Sequence, residues 1–431
     1  LPRINEYRAE IVASIGESFG KPIEMDSMSA GLNGIHPEVV LNGVKIIDPV
    51  GHQTLLRFDQ LRAGLNVKEW LSTGNFQPRW VTIRGARLSV RRKLDGSFSV
   101  VGLDSGAEMP KWIFEDGRFE LLDSEVDWQD LKHPAARLYL SKAAIRLLNR
   151  NTRHAVAVDA DLPQEYGKSL SIRMDLEGGS LAQECCAGTI YMRADNIFYG
   201  KLLEGFALDG YRVAAGQGGF RLWSTWKKSL MVDLAGEVDM RDAKLAHKIA
   251  PDEDLERIAN LQRLAGGFHW LREENTWKLS INHILVNASG EAWPSIQLDL
   301  QRTFETSRES SRVQFNASYL KLDDLRKWLL DLQALAPESH EVLAATAPNG
   351  EIFDLKLGFS NVQERLSEWY LCARFEHIGF NPRDLVPGAK NLSGNICGRK
   401  DSGRFQLASA AARIELPEVF REPIDLASLD G

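Results

Sequence analysis

From Pro22 onward the apolar positions recur at every second residue. Leu170, Ile172, Met174 and Leu176 alternate with Ser171, Arg173 and Asp175. Val313, Phe315, Ala317 and Tyr319 alternate with Gln314, Asn316 and Ser318, and Ile296, Leu298 and Leu300 with Gln297 and Asp299. Phe353, Leu355, Leu357 and Phe359 repeat the pattern around Asp354, Lys356 and Gly358. Each stretch predicts a strand with one apolar and one wet face, the mark of antiparallel rather than buried parallel sheet. In two places the pattern slips by one residue at a glycine. Val81 and Ile83 give way past Gly85 to Ala86, Leu88 and Val90, and Val39 and Leu41 give way past Asn42-Gly43 to Val44 and Ile46. A bulge accounts for both slips; at Asn42-Gly43 a hairpin turn is an equal alternative.

Helices are few. Ile4, Tyr7, Ile11, Ile15 and Phe19 recur at three- and four-residue steps, with Gly20 placed as a C-terminal cap before Lys21-Pro22. This helix is expected to cap the first sheet edge. Shorter helices are expected at Val67–Ser72, at Asp252–Leu264 (Leu255, Ile258, Leu261 and Leu264 on one side), at Asp323–Leu335 and at His340–Thr346. Gly216-Gln-Gly218-Gly219 reads as a hairpin turn. A loose repeat links Ala194-Asp-Asn-Ile197, Ala317-Ser-Tyr-Leu320 and Phe375-Glu-His-Ile378, each leading into a short turn or helix and then a glycine-led strand. The expected organisation is an N-terminal helix (1–20) and three β segments, 21–190, 191–310 and 311–431, the last continuing beyond the chain end. The fold class is mainly β with a few helices.

Composition narrows the function. The 431 residues hold 52 Lys+Arg against 59 Asp+Glu, a net charge of −7, with no basic block. Nucleic-acid binding through phosphate neutralisation is therefore disfavoured. No apolar run reaches the ~18 residues of a membrane-spanning helix. The sequence begins Leu1-Pro2-Arg3 without a Met, which reads as a processed or excised chain whose anchor or signal has been cut away.

Catalytic chemistry finds no foothold. The nine histidines show no metal-ligand spacing, and neither a nucleophile elbow nor a phosphate-binding loop is present. Cys185, Cys186, Cys372 and Cys397 form no C-x-x-C pair, and the neighbours Cys185 and Cys186 are poorly placed to bridge each other. The expectation is a non-enzyme without cofactor or metal.

A series of segments carries a family likeness. Leu1-Pro-Arg-Ile-Asn-Glu-Tyr-Arg-Ala-Glu-Ile11, Gly20-Lys-Pro-Ile23, Trp80-Val-Thr-Ile83, Leu88-Ser-Val90, Arg173-Met-Asp-Leu176, Gly290-Glu-Ala-Trp-Pro294 and Leu385-Val-Pro-Gly-Ala389 occur in order along the chain. Together they resemble the N-terminal third of the bacterial YhdP proteins, of the AsmA-like group related to TamB. The resemblance implies a long curled antiparallel sheet forming an open apolar trough. It also implies a periplasmic location, tethering to the inner membrane through the missing anchor, and bridge-like passage of phospholipid toward the outer membrane. Outer-membrane or envelope proteins are possible partners. Groove-lining residues are then expected at Val81, Ile83, Leu88, Val90, Leu170, Ile172, Met174 and Leu176, and at Val313, Phe315, Phe353, Leu355, Leu357 and Phe359. The same faces could instead close on each other as a sandwich, which would make the protein a non-transporting envelope scaffold. Alternation alone leaves both open.

Overall fold

The computed structural model describes residues 21–431 except 35, 49–52, 66–77, 95–97, 101–116, 132–136, 179–186, 208–209, 229, 249–255, 288–291, 305–309, 363–364 and 385, together with Ala9, Val12, Ala13 and Gly16. Those four early residues are helical; the rest of the expected N-terminal helix, and the helix expected at Val67–Ser72, lie outside the described residues. The fold is mainly β. Among the described residues its 23 strands belong to one open sheet, and the chain divides into two compact units.

The first unit holds residues 1–197 with 221–231. Strands β1 (Ile23–Glu24) and β2 (Ser27–Asn33) both pair with β3 (His36–Ile47), which pairs with β4 (Thr54–Leu65). β4 pairs with β5 (Pro78–Arg84). Beyond Gly85-Ala86 comes β6 (Arg87–Arg92), against which β7 (Phe98–Val100) returns. The next strand, β8 (Gly117–Asp130), runs parallel to β5 and β6. These two pairings are a local exception in a sheet that is antiparallel as expected, because the chain re-enters beside β5 and β6 in their own direction. From β8 the chain meanders antiparallel through β9 (Arg137–Arg150), β10 (Arg153–Asp161), β11 (Ser169–Glu177) and β12 (Ala187–Phe198).

The second unit holds residues 198–220 and 232–431. It opens with α1 (Tyr199–Leu202), and the strands β13 (Tyr211–Lys227) and β14 (Leu230–His247) contribute residues to both units. β14 starts an antiparallel series through β15 (Arg257–Arg272), β16 (Thr276–Asn287), β17 (Ile296–Phe304) and β18 (Ser310–Lys321). Helices α2 (Leu322–Asp331) and α3 (Pro337–Thr346) follow, close to their expected places. The series resumes in β19 (Asn349–Val362), β20 (Arg365–Phe380), β21 (Gly388–Arg399), β22 (Ser402–Glu415) and β23 (Ile424–Asp430). Asp323 and Asp324 stand in the first turn of α2, where the helix dipole favours them. The Trp293 indole donates to Asp324 at 2.7 Å and stacks on Trp328.

Many strands share one local device. Gly43 in β3, Gly85 between β5 and β6, Asp123 in β8, Lys142 in β9 and Asn196 in β12 all have φ between 47° and 66°. Asp242 in β14, His283 in β16, His377 in β20, Asn391 in β21 and Ala411 in β22 fall in the same left-handed region. A left-handed residue inside a strand turns the chain so that the next inward side chain comes after three residues instead of two. The inward pairs are therefore Leu41/Val44, Ile83/Ala86, Leu121/Ser124, Leu140/Ala143, Ala194/Ile197 and Met240/Ala243, and all twelve residues are buried. Glycine is required where neighbours crowd. A Cβ on Gly43 would lie 1.9 Å from Asp26 Oδ2, and one on Gly85 2.1 Å from Asp59 Oδ2. At Asn42-Gly43 the strand continues through a kink, so the hairpin alternative is excluded.

Two sequence readings are corrected. Arg257–Leu264 belongs to strand β15, where a helix was expected over Asp252–Leu264. The three-residue step from Leu261 to Leu264, read there as a helical stripe, falls within a ladder that pairs Leu261 with Ala243 and Leu264 with Met240, the two sides of the kink in β14. Gly216-Gln-Gly218-Gly219 is strand interior in β13. Its glycines allow close approach of β14, since a Cβ on Gly218 would stand 1.8 Å from the Asp239 carbonyl oxygen.

Candidate functional site: an apolar sheet face

In the first unit the register aligns apolar residues into rows across eight strands. One row runs Val39, Ala63, Val81, Phe119, Leu147, Val156, Met174 and Ile190. The next runs Leu41, Leu61, Ile83, Leu121, Ile145, Val158, Ile172 and Met192. Leu88 and Val90 pair with Val126 and Trp128. Leu170 lies between Ala160 and Ala194, and Leu176 between His154 and Gly188. Seven of the eight groove candidates of this unit thus have apolar cross-strand neighbours, and Leu176 stands at the end of the rows. Near Leu176 the rows end in a buried polar pair, His154 Nδ1 and Asn149 Oδ1 at 2.6 Å.

The second unit repeats the arrangement. A row across seven strands runs Leu234, Trp270, Leu279, Leu300, Phe315, Leu357 and Leu371. A neighbouring row joins Gly236, Phe268, Ile281, Leu298, Ala317 and Leu355. Val313 and Phe359 stand between Arg302 and Trp369, and Phe353 pairs with Tyr319. Tyr319 and Trp293 meet edge to face, and the Arg374 guanidinium lies over the Phe353 ring. Val313, Phe315, Leu355, Leu357 and Phe359 again share rows, while Phe353 lies across the left-handed Asp354 (φ 53°) from Leu355 and pairs with Tyr319.

Burial grades along this face. Val81 and Ile83 are buried, while Leu170, Ile172, Met174, Leu176, Val313, Phe315, Leu355, Leu357 and Phe359 are only half-buried. The inner layer of a tight sandwich would be almost wholly removed from water. Reasoning from single strands missed most members of the rows, among them Leu61, Phe119, Leu147, Val158, Phe268 and Leu298. Their strands alternate too, but only the register shows that their apolar sides coincide.

The opposite face is polar and cross-linked. Thr82 Oγ1 donates to Glu120 Oε2 at 3.0 Å, and Arg118 binds the other oxygen at 2.6 Å. Arg146 stands 3.8 Å from both Glu120 and Asp159, and Arg173 grips Asp159 with two bonds, at 2.7 and 2.9 Å. Burial would raise the Glu120 carboxyl, but the bonds from Arg118 and Thr82 and the charges of Arg118 and Arg146 outweigh it and hold it below the usual range. Asp159 is likewise held low, its burial outweighed by Arg173, Ser171 and Arg146. Cys372 and Cys397 are bridged across β20 and β21. Cys372 pairs on its other side with Lys356, whose neighbours Leu355 and Leu357 belong to the apolar rows.

Among the described residues no cluster of His, Cys, Asp or Glu is arranged to hold a metal, and no helix is long and apolar enough to cross a membrane. What remains as a site is the apolar face itself, which can hold hydrocarbon without chemistry. The chain is similar to the "Intermembrane phospholipid transporter YhdP" of Escherichia coli (strain K12), at 23% identity over 437 residues. That alignment covers 99% of this chain but 33% of the relative, so the chain spans about a third of its length. No solved structure matches. The family model described as YhdP protein matches residues 1–431, and the chain belongs to that family.

Proposed function

We propose that this chain carries phospholipid acyl tails on its apolar face, as part of a bridge between the inner and outer membranes of a Gram-negative-type envelope. The observation that carries the reading is the succession of apolar rows that stay half-open to water in the second unit. Burying a methylene gains ~0.8 kcal/mol, so one sixteen-carbon tail gains on the order of 10 kcal/mol on a dry apolar surface. Rows of Leu, Ile, Val, Phe and Met offer that surface with little preference between positions, so a tail can advance without a trap. The fourteen lining candidates would act as this track, with the polar head left in water. The Cys372–Cys397 bridge suits an oxidising compartment such as the periplasm.

Mass spectrometry of gently purified protein should find co-purifying phospholipid. Leu355→Arg and Val313→Arg place a charge in the rows at a cost of several kcal/mol to a passing tail, and bound lipid should drop about tenfold while the protein stays folded. An empty wild-type protein, or variants that retain full lipid, would defeat the proposal. The former outcome would instead favour an envelope scaffold.

A further inference from the structure

Beyond the kink at Asp242, β14 carries Ala243, Leu245 and His247 opposite Leu261, Ala259 and Arg257 of β15. At His247 these apolar positions meet a cavity of about 940 Å³ with both apolar and polar walls. Its walls include Tyr211, Arg212, His247, Lys248, Glu256 and His340, all within the second unit. The volume lies at the upper end of ordinary ligand pockets, roughly 300–1,000 Å³.

The polar groups are held in place. Glu256 grips Arg212 through Nε at 3.0 Å and Nη2 at 2.6 Å, which fixes the guanidinium and leaves Nη1 without a hydrogen bond among the described residues. His247 Nδ1 lies 2.7 Å from the Leu332 carbonyl oxygen and His340 Nε2 lies 3.4 Å from that of Leu330. A carbonyl only accepts, so these nitrogens carry hydrogen, and the other nitrogen of each ring has no hydrogen bond among the described residues. Tyr211 stacks on His247 with ring centres 4.0 Å apart, holding the imidazole plane. The Glu256 carboxylate is held below its usual range by the Arg212 bonds and by the charges of Arg212 and Lys248. Among the described residues, two fixed-charge cations and two imidazoles thus gather around Glu256, and the charge of Glu204 is also felt at Arg212.

We infer that this cavity binds a phosphate group, carried by a phospholipid whose tails lie on the adjoining apolar rows. The inference rests on the proposed function and adds a headgroup station to it. Arg212 and Lys248 supply the charge, and Glu256 acts as a positioning residue for the Arg212 fork. Such a station lets a lipid pause with its head fixed while its tails enter or leave the rows.

The test titrates the full chain with water-soluble dihexanoyl phosphatidylglycerol, with dihexanoylglycerol (the same tails without phosphate) and with inorganic phosphate. Wild-type protein should bind the phospholipid at least tenfold more tightly than dihexanoylglycerol. Lys248→Gln, and the paired change Arg212→Gln with Glu256→Gln, should each weaken phospholipid binding about tenfold and leave dihexanoylglycerol binding unchanged. Lys248→Arg should restore it. Unchanged phospholipid affinity in folded variants overturns the station while leaving the track intact. Inorganic phosphate binding as tightly as the phospholipid, with the same sensitivity to the variants, overturns it in favour of a free-phosphate site. If neither dihexanoyl compound binds wild-type protein, track and station both fail.

Discussion

The two units use the same strand pattern but bury it to different depths. In the first, Leu41, Ile46, Phe58 and Leu121 are among the largest fully buried side chains of the described residues, and of that group only Ile296 belongs to the second unit. Leu300, Phe315 and Leu357 occupy equivalent row positions in the second unit and remain half-buried. Apolar alternation is therefore compatible with a stability core and with an open surface. What separates them is whether the face has been removed from water, which no single strand reveals.

Substitutions can widen or erase that contrast. The largest effect is expected from Phe58→Ala, about 3–5 kcal/mol of lost stability by denaturant unfolding. The matched change Phe315→Ala should cost roughly 1–2 kcal/mol, because less area leaves water on folding; equal losses would mean the face around Phe315 is as closed as the core around Phe58. Gly85→Val should cost roughly 2–3 kcal/mol through its left-handed backbone and its collision with Asp59. Next is acid sensitivity. The Glu120 carboxyl sits below its ordinary value of 4.5, so its stabilisation is whole above that value and is lost as the pH falls through the depressed native one. Glu120→Gln should lose about 1–2 kcal/mol at neutral pH, and the gap to wild type should close in acid. The smallest change belongs to Asp123→Gly. Its ion pair with Arg84 is exposed and glycine accepts its φ of 48°, so stability should move by no more than about 0.5 kcal/mol.

Much of this was legible from residues. Strands around Leu170–Leu176 and Val313–Tyr319 follow from side chains alternating across a pleat, and α2 and α3 lie near their expected ranges. The kinks were half-visible. Ala194-Asp-Asn-Ile197 and Phe375-Glu-His-Ile378 were noticed as repeats, and both are three-residue steps around a left-handed residue. The same step made Leu261 and Leu264 look helical, because a three-residue spacing fits one helical turn as well as a kinked strand. The pairing of β8 with β5 and β6, the Cys372–Cys397 bridge and the Arg212–Glu256 fork were hidden, since each joins segments whose meeting depends on register rather than on local preference.

That pairing of β8 has a kinetic consequence. Neighbours from β8 to β12 can zip as successive hairpins, each closing a short loop. The seam with β5 and β6 cannot form that way, because strands that run in the same direction must be brought together across the chain between Arg92 and Gly117. Assembly of the first unit should therefore wait on that one closure, and a refolding experiment should show its slow phase there, with the β8–β12 meander already protected from hydrogen exchange.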